Sequence, residues 1–245
     1  MIPQQGQGQA PWPAIMVPHA GLRFSGKIAG LTFSRTRIPD RVIVIGPKHT
    51  VQGEPWAIEP HSRWSIPGGS IANDMELAQT LEERISGWQF DDAAHQNEHA
   101  IEVELPFLHA LAPKSGVVGV AIGRTSLEQC IQFGEQLAEI LASMDPRPLL
   151  VISSDMHHFA PEAENRRLAK LAIDAMLQLN PQLLYETVRN NRITMCGVLP
   201  AVIVMETLRR LNQLSKIEIT GYSTSADTTG DKSSVVGYCG MLLGG

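Results

Sequence analysis

The chain has 245 residues, of which 43% are hydrophobic and 18% charged, with 20 lysines and arginines against 25 aspartates and glutamates. This apolar fraction is typical of a globular protein and excludes disordered, collagen-like and low-complexity classes. A net charge of -5 argues against a nucleic-acid or membrane partner, because both favour a basic face. No apolar run approaches the roughly 18 residues of a transmembrane helix.

Residues 1–13 are rich in Gln, Gly and Pro, and they predict a flexible N-terminal segment without the features of a signal peptide. The cysteines, Cys130, Cys196 and Cys239, are widely spaced and form no CxxC pair. A disulfide framework is therefore not expected, and a cytoplasmic location is predicted. Cys130 and Cys239 fall in an amphipathic helix and a terminal strand, where we expect small buried hydrophobic residues.

From residue 14 onward, short apolar runs rich in β-branched residues alternate with longer amphipathic segments. The elements predicted in chain order are a strand at Ala14–Val17, a helix at 26–34, a strand at 41–45, a loop at 50–70, a helix at 73–85 capped by Asn73, a strand at 117–122, a helix at 126–143, a strand at Leu149–Ser153, helices at 161–179, Pro181–Asn190 and 197–214, and strands at 217–222 and 234–243.

Two of the predicted strands, at 42–45 and 149–152, show no alternation of polar residues, so both faces should be covered. Neither an internal repeat nor a linker composition divides the chain. The sequence therefore predicts one α/β domain over residues 14–245, with a mainly parallel central sheet flanked by helices.

Polar residues follow three of the predicted strands. His19 follows the first strand, His49 the second, and Asp155 and His158 follow the strand that ends at Ser153. A single histidine after a strand is usually an ordinary loop residue. In an open α/β sheet, however, ligands bind beyond the carboxyl ends of the strands. If these strands are parallel neighbours, their side chains meet at one edge, and three such ends favour a functional site.

Cys196 precedes a helical pattern that has Pro200 in its first turn. A thiol at this place lies near unpaired N–H groups and the positive end of the helix dipole. This environment favours a thiolate, which binds metals or attacks electrophiles. A small buried hydrophobic residue is the alternative interpretation.

The segment 97–106 is also rich in polar residues. Asn97 is predicted to cap a short helix with His99 in its first turn. Glu98, Glu102 and Glu104 could orient a ligating imidazole. A solvated face is the alternative, and it is favoured for Glu98 and Glu104.

These residue types permit three chemistries. Two imidazoles with a thiolate or carboxylate would hold a borderline metal such as iron, zinc or copper. A Cys–His pair could instead transfer acyl groups, and a polar pocket could serve binding alone. The sequence contains no GxGxxG, Walker A, GxSxG or HExxH pattern, so dinucleotide, nucleoside triphosphate and common hydrolase functions lose their usual support.

At these residues the sequence resembles the Memo family (mediator of cell motility), known in prokaryotes as AmmeMemoRadiSam system protein B. The segments that carry the resemblance are VPHAG at 17–21, IGPKH at 45–49, NEHAIEVELP at 97–106, ISSDMHH at 152–158 and ITMCG at 193–197. The resemblance implies a fold similar to that of LigB-like class III extradiol dioxygenases, which are non-haem iron enzymes.

The same resemblance implies a pocket in which His19, His49 and Cys196 bind the metal, with iron expected first and copper or zinc as alternatives. The remaining matched positions, expected to be catalytic, are His99, Asp155 and His158. Relative to a true dioxygenase, the thiol replaces a carboxylate or other ligand, which makes the site softer and oxidisable.

Three functions follow from these residues. The leading expectation is a non-haem metal-dependent oxidoreductase of the dioxygenase type. The second is a metal- or peptide-binding module that uses the same cleft without turnover, and the third is a Cys196-dependent hydrolase or transferase. The resemblance also implies a small-molecule or peptide ligand and protein partners of the radical-SAM and AMMECR types.

Overall fold

The computed structural model describes residues 11–245, so residues 1–10 of the predicted N-terminal segment lie outside the described residues. Trp12, within the same segment, contacts the fold. Its backbone N–H donates to Thr36 Oγ1 at 3.0 Å, and its ring packs against buried apolar residues.

Strands and helices alternate along the described chain. The strands are β1 (Ala14–Val17), β2 (Arg41–Pro47), β3 (Trp56–Ile58), β4 (Arg63–Ile66), β5 (Gly69–Ala72), β6 (Gln89–Phe90), β7 (Gly116–Ile122), β8 (Leu149–Ser153), β9 (His158–Ala160), β10 (Lys216–Thr224) and β11 (Val235–Gly244). The helices are α1 (Leu22–Phe33), α2 (Met75–Arg84), α3 (Leu105–Leu111), α4 (Leu127–Ala142), α5 (Glu162–Leu177), α6 (Pro181–Asn190), α7 (Val198–Arg210) and α8 (Ala226–Thr229). No helix among residues 11–245 is both long and apolar enough to cross a lipid bilayer.

One sheet of nine strands organises the molecule, in the order β10-β11-β1-β8-β2-β7-β3-β6, with β9 paired to β11 beside this path. The four central strands, β1, β8, β2 and β7, are parallel. On the flanks, β11 pairs antiparallel with β1 and β10, and β3 pairs antiparallel with β7. The predicted α/β domain with a parallel central sheet and flanking helices is confirmed, and antiparallel strands extend that centre.

The two faces of the central strands bury two separate apolar clusters. Along β1, Ala14 and Met16 belong to one cluster, while Ile15 and Val17 belong to the other, as the alternation of a strand requires. The first cluster includes residues of α2, α4, α5, α6 and α7, and the second includes residues of α1 and α3. Because helices cover both faces, the central strands are continuous apolar runs.

Residues 50–70 were expected to form a loop, and the structure corrects this prediction. β3 joins the sheet beside β7, and β4 and β5 form a hairpin turned at Gly68, whose φ is 85°. These strands have only three or four residues, and β4 and β5 are partly exposed, so none of them forms the longer apolar run that marks the central strands. Trp56 packs edge-on against Phe133, with ring centroids 5.0 Å apart.

The N-cap of α2 is Asp74, whose Oδ1 accepts the N–H of Leu77 at 3.1 Å, and the prediction of Asn73 as the cap is wrong. Asn73 instead donates its side-chain amide to the carbonyls of Glu59 and His61. Both residue types are good caps. The pattern alone therefore places the helix start only to within one residue.

Candidate metal site

The carboxyl ends of the parallel strands meet at one edge of the sheet, and polar residues follow three of these strands. The register pairs Val17 of β1 with Ser153 of β8, so His19 and Asp155, each two residues further on, lie side by side. The backbone N–H of His19 donates to Asp155 Oδ1 at 2.9 Å. His49 follows β2, the neighbour of β8 on its other side. The structure therefore brings the predicted strand-end residues to one place.

Three imidazoles form the centre of this edge. One ligand atom from each of His19, His49 and His99 lies within 4.8 Å of the others. The rings of His49 and His99 are stacked with centroids 4.8 Å apart, and the His19 ring meets them edge-on at 5.3 and 5.4 Å. His19 is buried, whereas the side chains of His49 and His99 are partly exposed. Such a group offers nitrogen donors to a borderline divalent metal.

The orientation of His19 is set by Ser153. His19 Nδ1 lies 2.7 Å from Ser153 Oγ, and this hydroxyl donates its hydrogen to the carbonyl of Ala100. Nδ1 must therefore carry the hydrogen that joins the two side chains, and the lone pair lies on Nε2. Burial, followed by the charge of His49, lowers the pKa of His19 well below its ordinary value. His19 is therefore a neutral donor at neutral pH.

Glu98 orients His49. Its Oε1 lies 2.8 Å from His49 Nδ1, its Oε2 accepts the backbone N–H of His49, and Oε1 also accepts the N–H of Ala100 at 3.0 Å. Burial opposes ionisation of this carboxyl, but these bonds outweigh burial and lower its pKa to about 2. A carboxylate at Nδ1 leaves Nε2 of the imidazole available as a ligand. The interpretation of Glu98 as a solvated side chain is wrong, since its side chain is 0% exposed.

His99 precedes a single 3-10 turn at Glu102–Glu104, and the predicted helix capped by Asn97 is absent at this point of the described chain. The His99 side chain is 54% exposed, and its Nδ1 lies 3.7 Å from Glu98 Oε1. Burial of part of the ring and the nearby His49 lower its pKa. Of the three imidazoles, His99 is the most accessible from solvent.

Cys196 contacts the group through His19. Its Sγ lies 3.3 Å from His19 Nε2, and it accepts the backbone N–H of Asp155 at 3.2 Å. Burial, reinforced by the Asp155 carboxyl, raises the pKa of the Cys196 thiol. The expectation that the helix end favours the thiolate is therefore wrong, because the cost of desolvation exceeds the effect of the dipole. A metal held by Sγ and Nε2 together would reverse this balance, since metal binding deprotonates thiols.

Asp155 and His158 flank the imidazoles. Burial raises the pKa of Asp155 to about 7, against the opposing effect of the N–H of His19. His158 Nδ1 lies 2.8 Å from the carbonyl of Thr194, and burial lowers the pKa of this imidazole. His157 has a different role, because its Nδ1 accepts the backbone N–H of Thr194 at 3.1 Å and its side chain is buried.

Glu104 is fully buried behind the site, so its interpretation as a solvated carboxylate is also wrong. Its Oε1 lies 3.5 Å from Ser153 Oγ, and its Oε2 has no hydrogen-bond partner among residues 11–245. Burial and then the charge of Asp155 raise its pKa well above the ordinary value. Sequence reasoning overlooked Ser153, because a serine at the end of a strand is usually a turn residue.

The two remaining cysteines lie in the core, whereas Trp64 lies near the site. Cys130 and Cys239 are buried in the apolar core, as expected. Trp64 meets His95 edge-on, with ring centroids 5.9 Å apart. Trp64 and Glu98 line the same surface cavity, which also includes Glu59 directly after β3.

Comparison with known proteins places the chain in a family. The profile of the family described as "Memo-like protein" matches residues 3–242. A MEMO1 family protein of Aquifex aeolicus is 40% identical over 234 residues, which cover 94% of this chain and 85% of the relative. A MEMO1 family protein of Methanopyrus kandleri is 30% identical over 246 residues, which cover 99% of this chain and 87% of the relative.

A solved structure gives independent support for the fold. An uncharacterized protein of Escherichia coli K12 superposes with a TM-score of 0.64 at 15% identity, covering 94% of this chain and 99% of the other. At this identity the likeness concerns the fold alone. The sequence matches and the conserved architecture together lead to one conclusion: the chain belongs to the family of Memo-like proteins.

Proposed function

We propose that this protein binds a first-row transition metal at the three-imidazole edge and acts as a non-haem metal-dependent oxidoreductase of the dioxygenase type. The observation that carries the proposal is the convergence of His19, His49 and His99 within 4.8 Å. In two of these rings, His19 and His49, Nδ1 is occupied by Ser153 or Glu98, so Nε2 remains for the metal.

The donor set fits a borderline metal. His19 and His49 supply two imidazole nitrogens, and Cys196, 3.3 Å from His19 Nε2, is the proposed third ligand. A sulfur and a nitrogen at this separation can share one ion. Two imidazoles with a thiolate suit iron, copper or zinc, and we propose iron first. When bound, iron or copper would supply one-electron and oxygen chemistry.

The residues around the donors supply proton positions. With a pKa of about 7, Asp155 holds or releases a proton near neutral pH. Anchored at Nδ1 by Thr194, His158 presents Nε2 as a neutral base. His99 is the half-exposed group that a small-molecule or peptide ligand entering from solvent would meet. We propose Asp155, His158 and His99 as the catalytic residues.

Iron binding tests the proposal most directly. Protein purified without oxygen or an affinity metal is loaded with Fe²⁺ and its iron is measured by elemental analysis. The wild type should retain close to one equivalent, and His19→Ala and His49→Ala should lose it, whereas His109→Gln in α3 should not. Comparison of Cys196→Ser with His99→Ala identifies the third ligand. Unchanged iron in His19→Ala and His49→Ala contradicts the proposal.

Oxygen consumption separates the enzyme from its alternatives. Uptake of O₂ that requires Fe²⁺ and a ligand supports the oxidoreductase, whereas tight binding without uptake supports a non-catalytic metal- or peptide-binding module in the same cleft. A Cys196-dependent hydrolase or transferase would instead need a reactive thiol. The raised pKa of Cys196 disfavours that function.

A further inference from the structure

A second group of metal-binding side chains lies beside β3, outside the three-imidazole edge. Glu59 follows β3, His61 lies in the turn before β4, and Asp92 follows β6. One ligand atom from each lies within 4.8 Å of the others. His61 Nδ1 is 2.7 Å from Glu59 Oε1 and 3.6 Å from Asp92 Oδ1. None of these residues takes part in the site described above.

His95 provides an independent observation. Its side chain is only 4% exposed, and its Nε2 lies 3.2 Å from the carbonyl of Ala57. Because a carbonyl can only accept, Nε2 carries the hydrogen and Nδ1 of the neutral ring bears a lone pair. Nδ1 is 3.9 Å from Glu59 Oε2, which is beyond hydrogen-bond distance. The Nδ1 lone pair of this largely buried ring thus faces the Glu59 carboxylate with no hydrogen bond between them, an arrangement that a cation would satisfy.

Hydrogen bonds within the protein already hold the Glu59 carboxylate in position. Its side chain is 7% exposed, and its Oε1 accepts the backbone N–H of His61 at 2.9 Å. The amide of Asn73 donates to the carbonyls of both Glu59 and His61, which holds the turn between β3 and β4. A ligand that is already oriented loses little entropy when it binds an ion.

We propose that Glu59, His61, Asp92 and His95 form a second divalent-metal site, which takes zinc or a similar borderline ion. Two imidazoles and two carboxylates are ligands that zinc accepts at about 2.0–2.2 Å. The separations of 3.6 Å between His61 Nδ1 and Asp92 Oδ1 and of 3.9 Å between His95 Nδ1 and Glu59 Oε2 are close to those between two ligands of one tetrahedral ion. The 2.7 Å contact of His61 with Glu59 is a hydrogen bond, which the ion would replace. The ion would join the β3–β4 turn to residues 92–95.

An ion at the second site would also stabilise the three-imidazole edge. Residues 92–95 lead directly into Glu98 and His99, the segment that orients His49 and completes the three-imidazole group. An ion between this segment and β3 would restrict the motion of both residues. The proposal does not depend on the chemistry at the first site.

Zinc binding to the metal-free full chain tests the proposal by equilibrium dialysis with Zn²⁺ alone. The His49→Ala background weakens the first site and isolates the second. We expect the His49→Ala protein to bind one equivalent of zinc. Adding His61→Gln and Asp92→Asn to it should weaken zinc binding by roughly 10-fold or more, because loss of even a residue that only orients a metal ligand costs 10–100-fold in affinity. Both side chains are substantially exposed, so the fold should persist. The matched control is Glu83→Gln with His109→Gln.

Co²⁺ gives a second readout, because Trp64 meets His95 edge-on with ring centroids 5.9 Å apart. Co²⁺ should quench tryptophan fluorescence in the His49→Ala background, and Trp64→Phe should remove most of the quenching. Zinc binding that is absent from that background, or unaffected by His61→Gln and Asp92→Asn, overturns the proposal and leaves an ion pair only. Failure of His19 and His49 to bind iron would contradict the proposed function but not the second site. The two proposals can therefore fail independently.

Discussion

The hydroxyl of Ser153 joins a buried imidazole to a buried acid. It accepts from His19 Nδ1, donates to the carbonyl of Ala100, and lies 3.5 Å from Glu104 Oε1. A partner on Nδ1 selects the tautomer of His19 and the direction of its free lone pair. One small side chain therefore controls which nitrogen a metal would meet.

Replacing Ser153 with alanine tests this control. We expect Ser153→Ala to fold and to lower metal affinity by roughly 10-fold to 100-fold, because His19 loses the partner that fixes its tautomer. Calorimetric Fe²⁺ titration measures the affinity, and ¹⁵N NMR of the imidazole reports the tautomer. Ser143→Ala, at the end of α4, should match the wild type. An unchanged tautomer and affinity would exclude a positioning role for the hydroxyl.

Glu104 should give the protein a specific dependence of stability on pH. Its pKa is raised well above the ordinary 4.5, so the folded chain keeps a proton that the unfolded chain has released. The contribution of Glu104 to the free energy of unfolding is thus fully present below pH 4.5, and it is lost as the pH rises through the folded-state pKa. The amide in Glu104→Gln cannot ionise, and this variant should lose less stability than the wild type as the pH rises above 4.5.

Urea unfolding of the metal-free proteins measures this difference. Each pH unit inside the affected window corresponds to about 1.4 kcal/mol of unfolding free energy. Glu139→Gln, on the exposed face of α4, should follow the wild-type curve. Parallel curves for Glu104→Gln and the wild type would show that Glu104 ionises normally in the folded chain.

The predictability of single residues depended on where their partners lie. His19 and His49 follow strands that the apolar pattern identifies, so their meeting could be inferred from the topology of parallel sheets. Glu98 could not be separated from a solvated carboxylate, because its partner, His49, is 49 positions away in the chain. The burial of Glu104 likewise depends on a strand end that lies far along the sequence.

At the scale of the elements, the start of α7 lies close against the end of β8 at the site. A Cβ on Gly197, the N-cap of α7, would lie 2.4 Å from Ser154 Cβ and 2.5 Å from the carbonyl oxygen of Ser153. Only glycine permits this separation. The contact is what brings Cys196, one residue earlier, against His19.

Gly197→Ala should therefore separate the two elements. We expect a loss of about 1–3 kcal/mol in unfolding free energy from overpacking, measured by urea denaturation. Gly21→Ala is the control, since its Cβ would approach no neighbour closer than Phe24 Cδ2 at 3.8 Å. Equal stability of the two variants would mean that the start of α7 shifts freely away from β8.

Elements were predictable where a continuous apolar run marks them. The central strands β1 and β8 match the predicted bounds because continuous apolar runs mark strands covered on both faces. β3, β4 and β5 were missed, since strands of three or four residues depend on their neighbours rather than on their own composition. The fold class could be inferred from pattern, but the strand order could not.

At the scale of the molecule, the last strand completes the sheet. β11 pairs with β1, β10 and β9. Without β11, one side of β1 and the inner side of β10 would lack hydrogen-bond partners. A chain that stops at residue 234 should therefore fail to fold, whereas removal of Gly245 alone should be tolerated. Near-ultraviolet circular dichroism and size-exclusion chromatography compare the two truncations, and a compact, cooperative 1–234 chain would contradict this expectation.

The pairing of β1 with β11 also makes a circular permutation of this chain feasible. Ala14 lies opposite Leu243 in adjacent antiparallel strands, at a separation of about 5 Å. A linker of a few residues could therefore join the two ends of the domain, and new termini could open at the exposed turn around Gly230. Such a circular permutant would synthesise β11 first and next to β1, while every site residue kept its place. The order of synthesis and the order of pairing are thus separable in this fold.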